Sequence, residues 1–313
     1  GLSSHPPLDS PPPPGSIRAT PMLKDTLMKI GFLDYKLNNY HMKKFHGLLT
    51  GPVGEGRISI VAASELEPTD EGREWCAQNG VTWVSSAEEV IAVSDALLVL
   101  APNNPETHLA VARPALASGK PVFVDKMLAH TPADAREMIR LARQGGSPLM
   151  SASGLRFALE LEELDRKLGG MEPAGIFARG LGKFPIYGVH TITLALRYYG
   201  SEIRRVIDTG EEGVRLLTVD GPRGKASIEV RDSENQYEAT PWQLGVRAGN
   251  RYEVVTITNF DGFYENLMRL TVEFFRTGVS PVSAEEQLAL VQVQAAAEQS
   301  LAAGNTWIEI EQI

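Results

Sequence analysis

The chain has little cysteine, no long apolar run and no excess of positive charge. Only Cys76 among the 313 residues is a cysteine, so no internal disulfide can form, which favours a reducing compartment. No apolar run approaches the roughly 20 residues of a membrane-spanning helix, and no basic segment followed by an apolar run opens the sequence. The net charge of −9 argues against nucleic acid or an anionic membrane as a partner. These absences favour a cytoplasmic protein that binds a small molecule and no metal.

Short apolar runs alternate with helical patterns from residue 28 to about residue 150. The runs have the length and composition of strands buried on both faces, and they span 28–34, 57–63, 81–84, 95–100, 121–124 and 148–151. Between them, Ser86 with Glu89 forms a capping box, and Thr131 before Pro132 marks another helix start. This alternation predicts a parallel α/β sheet.

The pattern changes after residue 150. A helix is predicted over 157–168, and strand-like segments follow at 176–179, 214–219, 226–230 and 252–258, separated by turns rather than helices. Ser283 with Glu286 begins a helix that runs to about residue 303, and a strand over 306–310 closes the chain. The sequence therefore predicts a second domain of the α+β class, built on a mostly antiparallel, open sheet.

Three segments are expected. Residues 1–21 are proline-rich and are interpreted as a disordered extension or an arm. Residues 22–150 form the α/β domain, and residues 151–313 form the α+β domain, with the helix at about 283–303 packing back toward the first domain.

Polar clusters follow two of the buried strands. Ala101-Pro102-Asn103-Asn104 comes after the run at 95–100, and Asp125-Lys126-Met127 comes after the run at 121–124. In a parallel sheet, ligands bind beyond the carboxyl ends of the strands. Most lysines lie on the surface, but a lysine that leaves the end of a buried strand is the best catalytic candidate in the sequence.

Several segments, in order, resemble the Gfo/Idh/MocA family (glucose-fructose oxidoreductase, inositol dehydrogenase and related proteins). Residues 95–103 resemble the family's D-A-V-V-I-A-T-P-N, and 119–127 resemble its G-K-H-V followed by E-K-P. Residues 188–196 resemble G-x-H-x-I-D-L-A-L, and 275–278, 281–284 and 304–305 resemble its C-terminal part. The resemblance implies a Rossmann domain, a sheet-bearing substrate domain, NAD or NADP, and dimers or tetramers.

The resemblance assigns a cofactor loop near the start of the chain. Gly31 is placed at the first glycine of G-x-G-x-x-G, so Leu33 and Lys36 replace the other two glycines. Leu33 is then expected at the phosphates, and Asp34 adds a charge of the same sign; the alternative is an ordinary strand-to-helix turn. Glu65, at the end of the second strand, would bind the adenine ribose and favour NAD over NADP, or it is a solvated loop acid.

The same comparison places further residues at the cofactor. Ala101, Pro102, Asn103, His108, Asp125 and Lys126 are expected to line its binding site. An Asn-Asn-Pro turn is also a sufficient structural reason for Asn103. The alternative for His108 is a residue of a first helical turn on a partly solvated face.

The catalytic group implied by the resemblance comes from both domains. Lys126 would polarise or protonate the reacting oxygen, and His190 would relay the proton with help from Tyr187. The aspartate that commonly precedes this histidine by four residues is replaced by Ile186. The alternative is a core histidine bonded to Thr193 or to the backbone.

Arg156, Tyr187 and Thr193 are expected to contact substrate, although Arg156 is equally suited to a structural ion pair. The predicted function is transfer of a hydride between nicotinamide and a secondary alcohol or ketone of a sugar- or polyol-like molecule. The alternatives are an inactive family member that binds a ligand or supports an assembly, and a lyase or epimerase that recycles its NAD. A homodimer or homotetramer is expected to form through the C-terminal sheet.

Overall fold

The structure is a computed structural model that describes residues 26–233 and 239–312. The proline-rich segment 1–21, for which a disordered extension or an arm was predicted, lies outside the described residues.

The first sheet has six parallel strands. They are β1 (Met28–Asp34), β2 (Ile58–Glu65), β3 (Thr82–Trp83), β4 (Ala96–Val99), β5 (Val122–Val124) and β6 (Leu149–Ser151). Their order is β3-β2-β1-β4-β5-β6, which confirms the predicted parallel α/β sheet of the Rossmann type. The strand order reverses between β1 and β4, so these two strand ends flank the crevice where such sheets bind ligands.

Five helices cover this sheet. They are α1 (Tyr40–Thr50), α2 (Asp70–Gln78), α3 (Ala87–Val93), α4 (His108–Leu116) and α5 (Pro132–Gly145). The predicted caps are present, because Ser86 accepts from the Glu89 N–H and Thr131 accepts from the Asp134 N–H. Asn39 caps α1 by accepting from the Met42 N–H.

The second sheet confirms the mostly antiparallel prediction. Its strands are β7 (Pro173–Leu181), β8 (Arg205–Asp208), β9 (Val214–Gly221), β10 (Gly224–Arg231), β11 (Gln243–Ala248), β12 (Arg251–Thr256) and β13 (Ile308–Glu309). The order is β12-β11-β7-β10-β9-β8-β13, and only β7 and β10 pair in parallel among the described strands.

The remaining helices join the two sheets. They are α6 (Leu159–Leu168), α7 (Phe184–Tyr199), α8 (Phe260–Thr277) and α9 (Ala284–Ala302). Helix α7 packs on β7 and β10, α8 contacts α1, and α9 contacts α5 and β6 of the first sheet. None of the helices within residues 26–233 and 239–312 combines the length and apolarity that crossing a membrane requires.

The turn after β1 lies later in the chain than the predicted cofactor loop at 31–36. Gly31 lies in the middle of β1, where it pairs with Ala62 and Leu97. Leu33 is fully buried in the core of the sheet and does not face a phosphate site. The turn between β1 and α1 is residues 35–39, which contain no glycine. Gly31 is instead required by packing, because a Cβ there would lie 2.4 Å from Val90 Cγ1 on α3 and 2.5 Å from Oγ of Ser94, the residue that follows α3.

This packing role predicts the effect of Gly31→Ala. The added methyl group must displace α3, so we expect the free energy of unfolding to fall by about 1–3 kcal/mol. Urea denaturation measures the change. Gly47→Ala is the matched control, because Gly47 is exposed on α1 with no atom within 4 Å of an added Cβ. Alanine is the better helix former, so the control is expected to gain up to about 1 kcal/mol. Equal effects at the two positions would contradict the packing role.

Candidate functional site

A cleft of about 630 Å³ lies between the two sheets and includes Tyr187 in its wall. Its walls are mainly aromatic, with one lysine and small residues at the rim. The lining residues are Tyr40, Leu181, Gly182, Lys183, Tyr187, Ser233, Trp242, Phe260, Phe263 and Tyr264. Tyr40 belongs to α1, Tyr187 to α7 and Tyr264 to α8, so both parts of the chain build the cleft.

Lys126 lies directly beyond β5, as predicted, and is almost completely buried. Its Nζ donates to the Pro102 carbonyl oxygen at 3.0 Å, and the Lys126–Met127 peptide bond is cis. Burial lowers the pKa of Lys126, and the negative charge of Asp125 opposes that shift. Lys126 and the exposed Asn103 line a small cavity of about 10 Å³ against the start of α7.

His190 comes from α7 and reaches the same region. Its ring centroid lies 5.9 Å from that of Tyr187 and 5.7 Å from that of Trp242, both of which line the cleft. Burial holds the pKa of His190 well below its ordinary value, and the positive charges of Lys126 and His41 lower it further. His190 is therefore a neutral imidazole within electrostatic reach of Lys126.

The hydrogen-bond partner of His190 differs from both sequence-based expectations. Its Nδ1 lies 2.6 Å from Ser153 Oγ, and the ring bonds neither Thr193 nor the backbone among the described residues. A hydroxyl fixes the ring orientation but supplies no negative charge, so Ser153 only partly replaces the missing aspartate.

Two predicted substrate contacts do not line the cleft. Arg156 forms a two-bond ion pair with Glu286, at 2.5 and 2.8 Å, which is the structural alternative considered for it. Thr193 is buried in α7, and its Oγ1 finds no hydrogen-bond partner within the described parts of the chain. Tyr187, by contrast, is exposed on the wall of the cleft.

A carboxylate–imidazole pair that the sequence did not reveal lies next to Lys126. Asp125 Oδ2 is 2.6 Å from His41 Nδ1, and Asp125 Oδ1 accepts from the Lys126 N–H. The other ring nitrogen of His41 lies 3.3 Å from the Tyr264 hydroxyl. Burial acts to raise the pKa of Asp125, but the interactions with His41 and with Lys126 together hold that pKa below its ordinary value. Asp125 is thus committed to His41 and is not free to line a cofactor.

The residues after β4 are held by the protein itself. His108 is fully buried, with Nδ1 3.2 Å from the Leu128 carbonyl oxygen and Nε2 2.9 Å from that of Ala101. Ala101 has a φ of +63° and donates its N–H to Asp34. His108 therefore fastens this loop, and the prediction of a nicotinamide contact or a partly solvated residue is wrong in this structure.

The crevice at the ends of β1 and β2 is filled by the chain's own groups. Asp34 accepts from the Ala101 N–H at 2.9 Å and from Asn39 Nδ2 at 2.7 Å. Glu65 accepts from Leu37, Thr69 and Trp83 and is only 6 % exposed. Glu65 is therefore neither a solvated loop acid nor a carboxylate available to ribose hydroxyls. In this conformation the residues do not accommodate a dinucleotide.

The burial of Asp34 has a consequence for stability. Burial raises the pKa of Asp34 to about 7 from its ordinary 3.8, against hydrogen bonds from Asn39 and Ala101 that act to lower it. The folded protein therefore keeps a proton that the unfolded chain releases, so stability falls as pH rises through this interval and levels off above about pH 7.

We expect Asp34→Asn to remove this pH dependence. Between about pH 5 and pH 8 the wild type should lose on the order of 2–3 kcal/mol in its free energy of unfolding relative to the variant. Thermal denaturation across that range measures the difference. Asp95→Asn is the control, because Asp95 also accepts a backbone N–H, that of Lys29, but is only half-buried. A difference between wild type and Asp34→Asn that does not change with pH would contradict the raised pKa.

Comparison with known proteins supports the first sheet's assignment. Residues 50–153 match the GFO_IDH_MocA family, described as an oxidoreductase family with an NAD-binding Rossmann fold. The match begins at the end of α1, after the loop at 35–39. A curated relative, the uncharacterized oxidoreductase YdgJ of Escherichia coli K12, is 30% identical over 123 residues, which are 39% of this chain and 33% of the relative.

Solved structures share the whole fold. GenD2 from gentamicin A biosynthesis, solved in complex with NAD, has a TM-score of 0.77 at 14% identity, covering 97% of this chain and 100% of that one. Myo-inositol 2-dehydrogenase from Lactobacillus plantarum has a TM-score of 0.73 at 14% identity, covering 91% of this chain and 99% of that one. The two-sheet architecture and the matched segment agree, so residues 50–153 are similar to the NAD-binding Rossmann part of the Gfo/Idh/MocA oxidoreductase family, and the strand order of the first sheet is the one expected of such a fold.

Proposed function

We propose that this protein is an oxidoreductase that interconverts a secondary alcohol and a ketone on a sugar- or polyol-like molecule bound in the aromatic cleft. The observations that carry the proposal are that Lys126, at the end of β5, lies within electrostatic reach of His190 on α7, and that Lys126 lines a small cavity against the start of the same helix. The similarity in fold to a protein named as a myo-inositol 2-dehydrogenase supports the choice of a polyol.

The proposed proton chemistry uses these two residues. The Lys126 ammonium hydrogen-bonds the reacting oxygen and stabilises negative charge on it, and its lowered pKa brings it nearer to the range in which a lysine can exchange a proton. His190 is neutral, so one of its ring nitrogens can accept the hydroxyl proton. Ser153 and the rings of Tyr187 and Trp242 fix the plane of the imidazole.

Asp125 and His41 act as positioning residues. Asp125 holds the Lys126 backbone N–H with one oxygen and His41 with the other, so it ties the turn after β5 to the first turn of α1. This arrangement fixes the backbone of the lysine and buries a carboxylate, which is tolerable because both carboxylate oxygens are hydrogen-bonded.

An alcohol oxidation needs a hydride acceptor, and NAD is the cofactor that the family description gives. The closed crevice supports a second candidate, a family member that binds a ligand without turnover. A lyase or epimerase that recycles tightly held NAD would show nicotinamide absorbance in the freshly purified protein.

Lys126→Met tests the proposed chemistry. The variant keeps the bulk of the side chain and loses the charge, so we expect turnover of polyols with NAD⁺ to fall by about 10²–10⁴-fold. NADH absorbance with myo-inositol and a panel of polyols measures the rate. Lys43→Ala, an exposed lysine of α1, is the control and should retain full activity. Unchanged turnover in Lys126→Met with an intact circular dichroism spectrum would remove Lys126 from the mechanism.

We also propose that the protein is cytoplasmic and that the open face of the second sheet pairs with another copy of the chain. Val254 on β12 and Phe177 on β7 are both exposed and both flank Gly245 of β11 in register. Together with Tyr252 and Leu216 they place apolar side chains on the surface of this sheet.

Val254→Lys tests this surface. Burying a lysine without a partner in the interface is costly, so we expect the dissociation constant of the dimer or tetramer to rise by about tenfold or more. Sedimentation velocity at micromolar concentration measures the state. Leu66→Lys is the control, because Leu66 is exposed to a similar degree on the first domain. A wild-type protein that sediments as a monomer would contradict the proposal.

A further inference from the structure

The loop at residues 35–39 lies where a fold of this type binds a pyrophosphate. In a parallel sheet with this strand order, the phosphates cross the end of β1 beside β4 and contact the start of the following helix. Backbone N–H groups normally supply those contacts, and glycines let the phosphates approach. Here the loop reads Tyr-Lys-Leu-Asn-Asn, and its backbone is already engaged on two sides.

Glu65 holds the loop from the side of β2. Its Oε1 accepts from the Leu37 N–H at 2.7 Å and from Thr69 Oγ1 at 2.7 Å. Its Oε2 accepts from the Thr69 N–H at 3.0 Å and from Trp83 Nε1 at 3.1 Å. A carboxylate has about four lone-pair positions, so none remains for a ribose hydroxyl. Helix α2 also encloses the group, since a Cβ on Gly72 would lie 2.4 Å from Oε1.

Asp34 holds the loop from the side of β4. It bridges Asn39 Nδ2 and the Ala101 N–H and so spans the point where the strand order reverses. Asn39 in turn accepts from the Met42 N–H, which uses one of the free donors at the start of α1. The donors that a pyrophosphate would use are therefore taken by acidic and amide side chains of the protein itself.

Backbone hydrogen bonds close the remaining gap. The Leu66 N–H donates to the Asp34 carbonyl at 2.9 Å, and the Glu67 N–H donates to the Tyr35 carbonyl at 3.0 Å. The loops after β1 and β2, which flank the adenosine in dinucleotide folds, are thus joined to each other. The side chain of Leu37 is buried in the same apolar cluster as Trp75, so the loop is also packed from below.

We propose that loop 35–39 occupies the dinucleotide site itself and that NAD must displace it, so that Glu65 opposes NAD binding instead of holding the ribose. The inference rests on the proposed function, because it concerns the cofactor of that reaction. The apparent affinity for NAD is then the intrinsic affinity reduced by the small fraction of molecules in which the loop is open.

Two variants and NAD⁺ alone test the competition. Glu65→Gln keeps the shape but loses the charge that strengthens four hydrogen bonds, and Trp83→Phe removes one donor while leaving the acid in place. Both substitutions should raise the fraction of molecules in which the loop is open. Calorimetry on the full chain is therefore expected to show that Glu65→Gln binds NAD⁺ about three- to tenfold more tightly than the wild type, and that Trp83→Phe shows a smaller gain in affinity. Asp95→Asn, at the opposite end of the sheet, is the control and should bind as wild type does.

Hydrogen exchange of the Leu37 amide gives an independent readout. We expect this amide to be protected in the free wild-type protein and to exchange faster when NAD⁺ is added. If Glu65→Gln binds NAD⁺ more weakly than the wild type and the Leu37 amide stays protected in the bound protein, the proposed competition is wrong but the proposed function is not affected. Failure of the wild type and both variants to bind NAD⁺ up to millimolar concentration would overturn the competition and the cofactor part of the proposed function together.

Discussion

A buried carboxylate must find hydrogen-bond donors, and in this protein one of the four donors to Glu65 comes from loop 35–39, which lies where we propose that a dinucleotide would bind. Glu65 is nearly inaccessible to water and accepts four hydrogen bonds, one of them from the Leu37 backbone. Leaving such a group without partners costs several kcal/mol by order of magnitude, so the loop and the end of β2 are coupled to each other. Asp34 imposes the same requirement one strand away, and it is met by Ala101 and Asn39.

These contacts set the geometry of the rest of the site. Once the loop is held down, α1 begins at a fixed place and directs His41 at Asp125, which in turn positions the turn that carries Lys126. His108 fastens the neighbouring loop after β4 from beneath. The residues proposed to handle the proton are therefore held by hydrogen bonds in the same conformation that closes the crevice. The aromatic cleft, where we propose that substrate binds, is open in this conformation, whereas the crevice proposed for the dinucleotide is closed.

Much of the fold can be predicted from the sequence, because the signals for strands and helices lie in residues that are close together in the chain. Strand length, apolar composition and caps such as Ser86, Thr131 and Ser283 depend on neighbouring residues, and each of these caps is found where it is predicted. Helix α8 and strands β8 and β11 were not predicted. The placement of Lys126 follows from the same local pattern, because a residue after a buried strand must emerge at the sheet's ligand-binding edge.

The site is less predictable, because the contacts that define it join distant positions. His41 and Asp125 are 84 residues apart, and Arg156 and Glu286 are 130 apart. Gly31 misled the assignment of the cofactor loop because a glycine in an early strand resembles the start of the fingerprint. Asn39, a residue suited to cap α1, is the signal in the sequence that places the loop directly before residue 40.

The most direct test is a crystal structure of the protein grown with millimolar NAD⁺. We expect the dinucleotide to lie across the ends of β1 and β4, with loop 35–39 displaced and the hydrogen bond between the Leu37 N–H and Glu65 broken. A dinucleotide bound over an unchanged loop, with that hydrogen bond intact, would contradict the proposed competition.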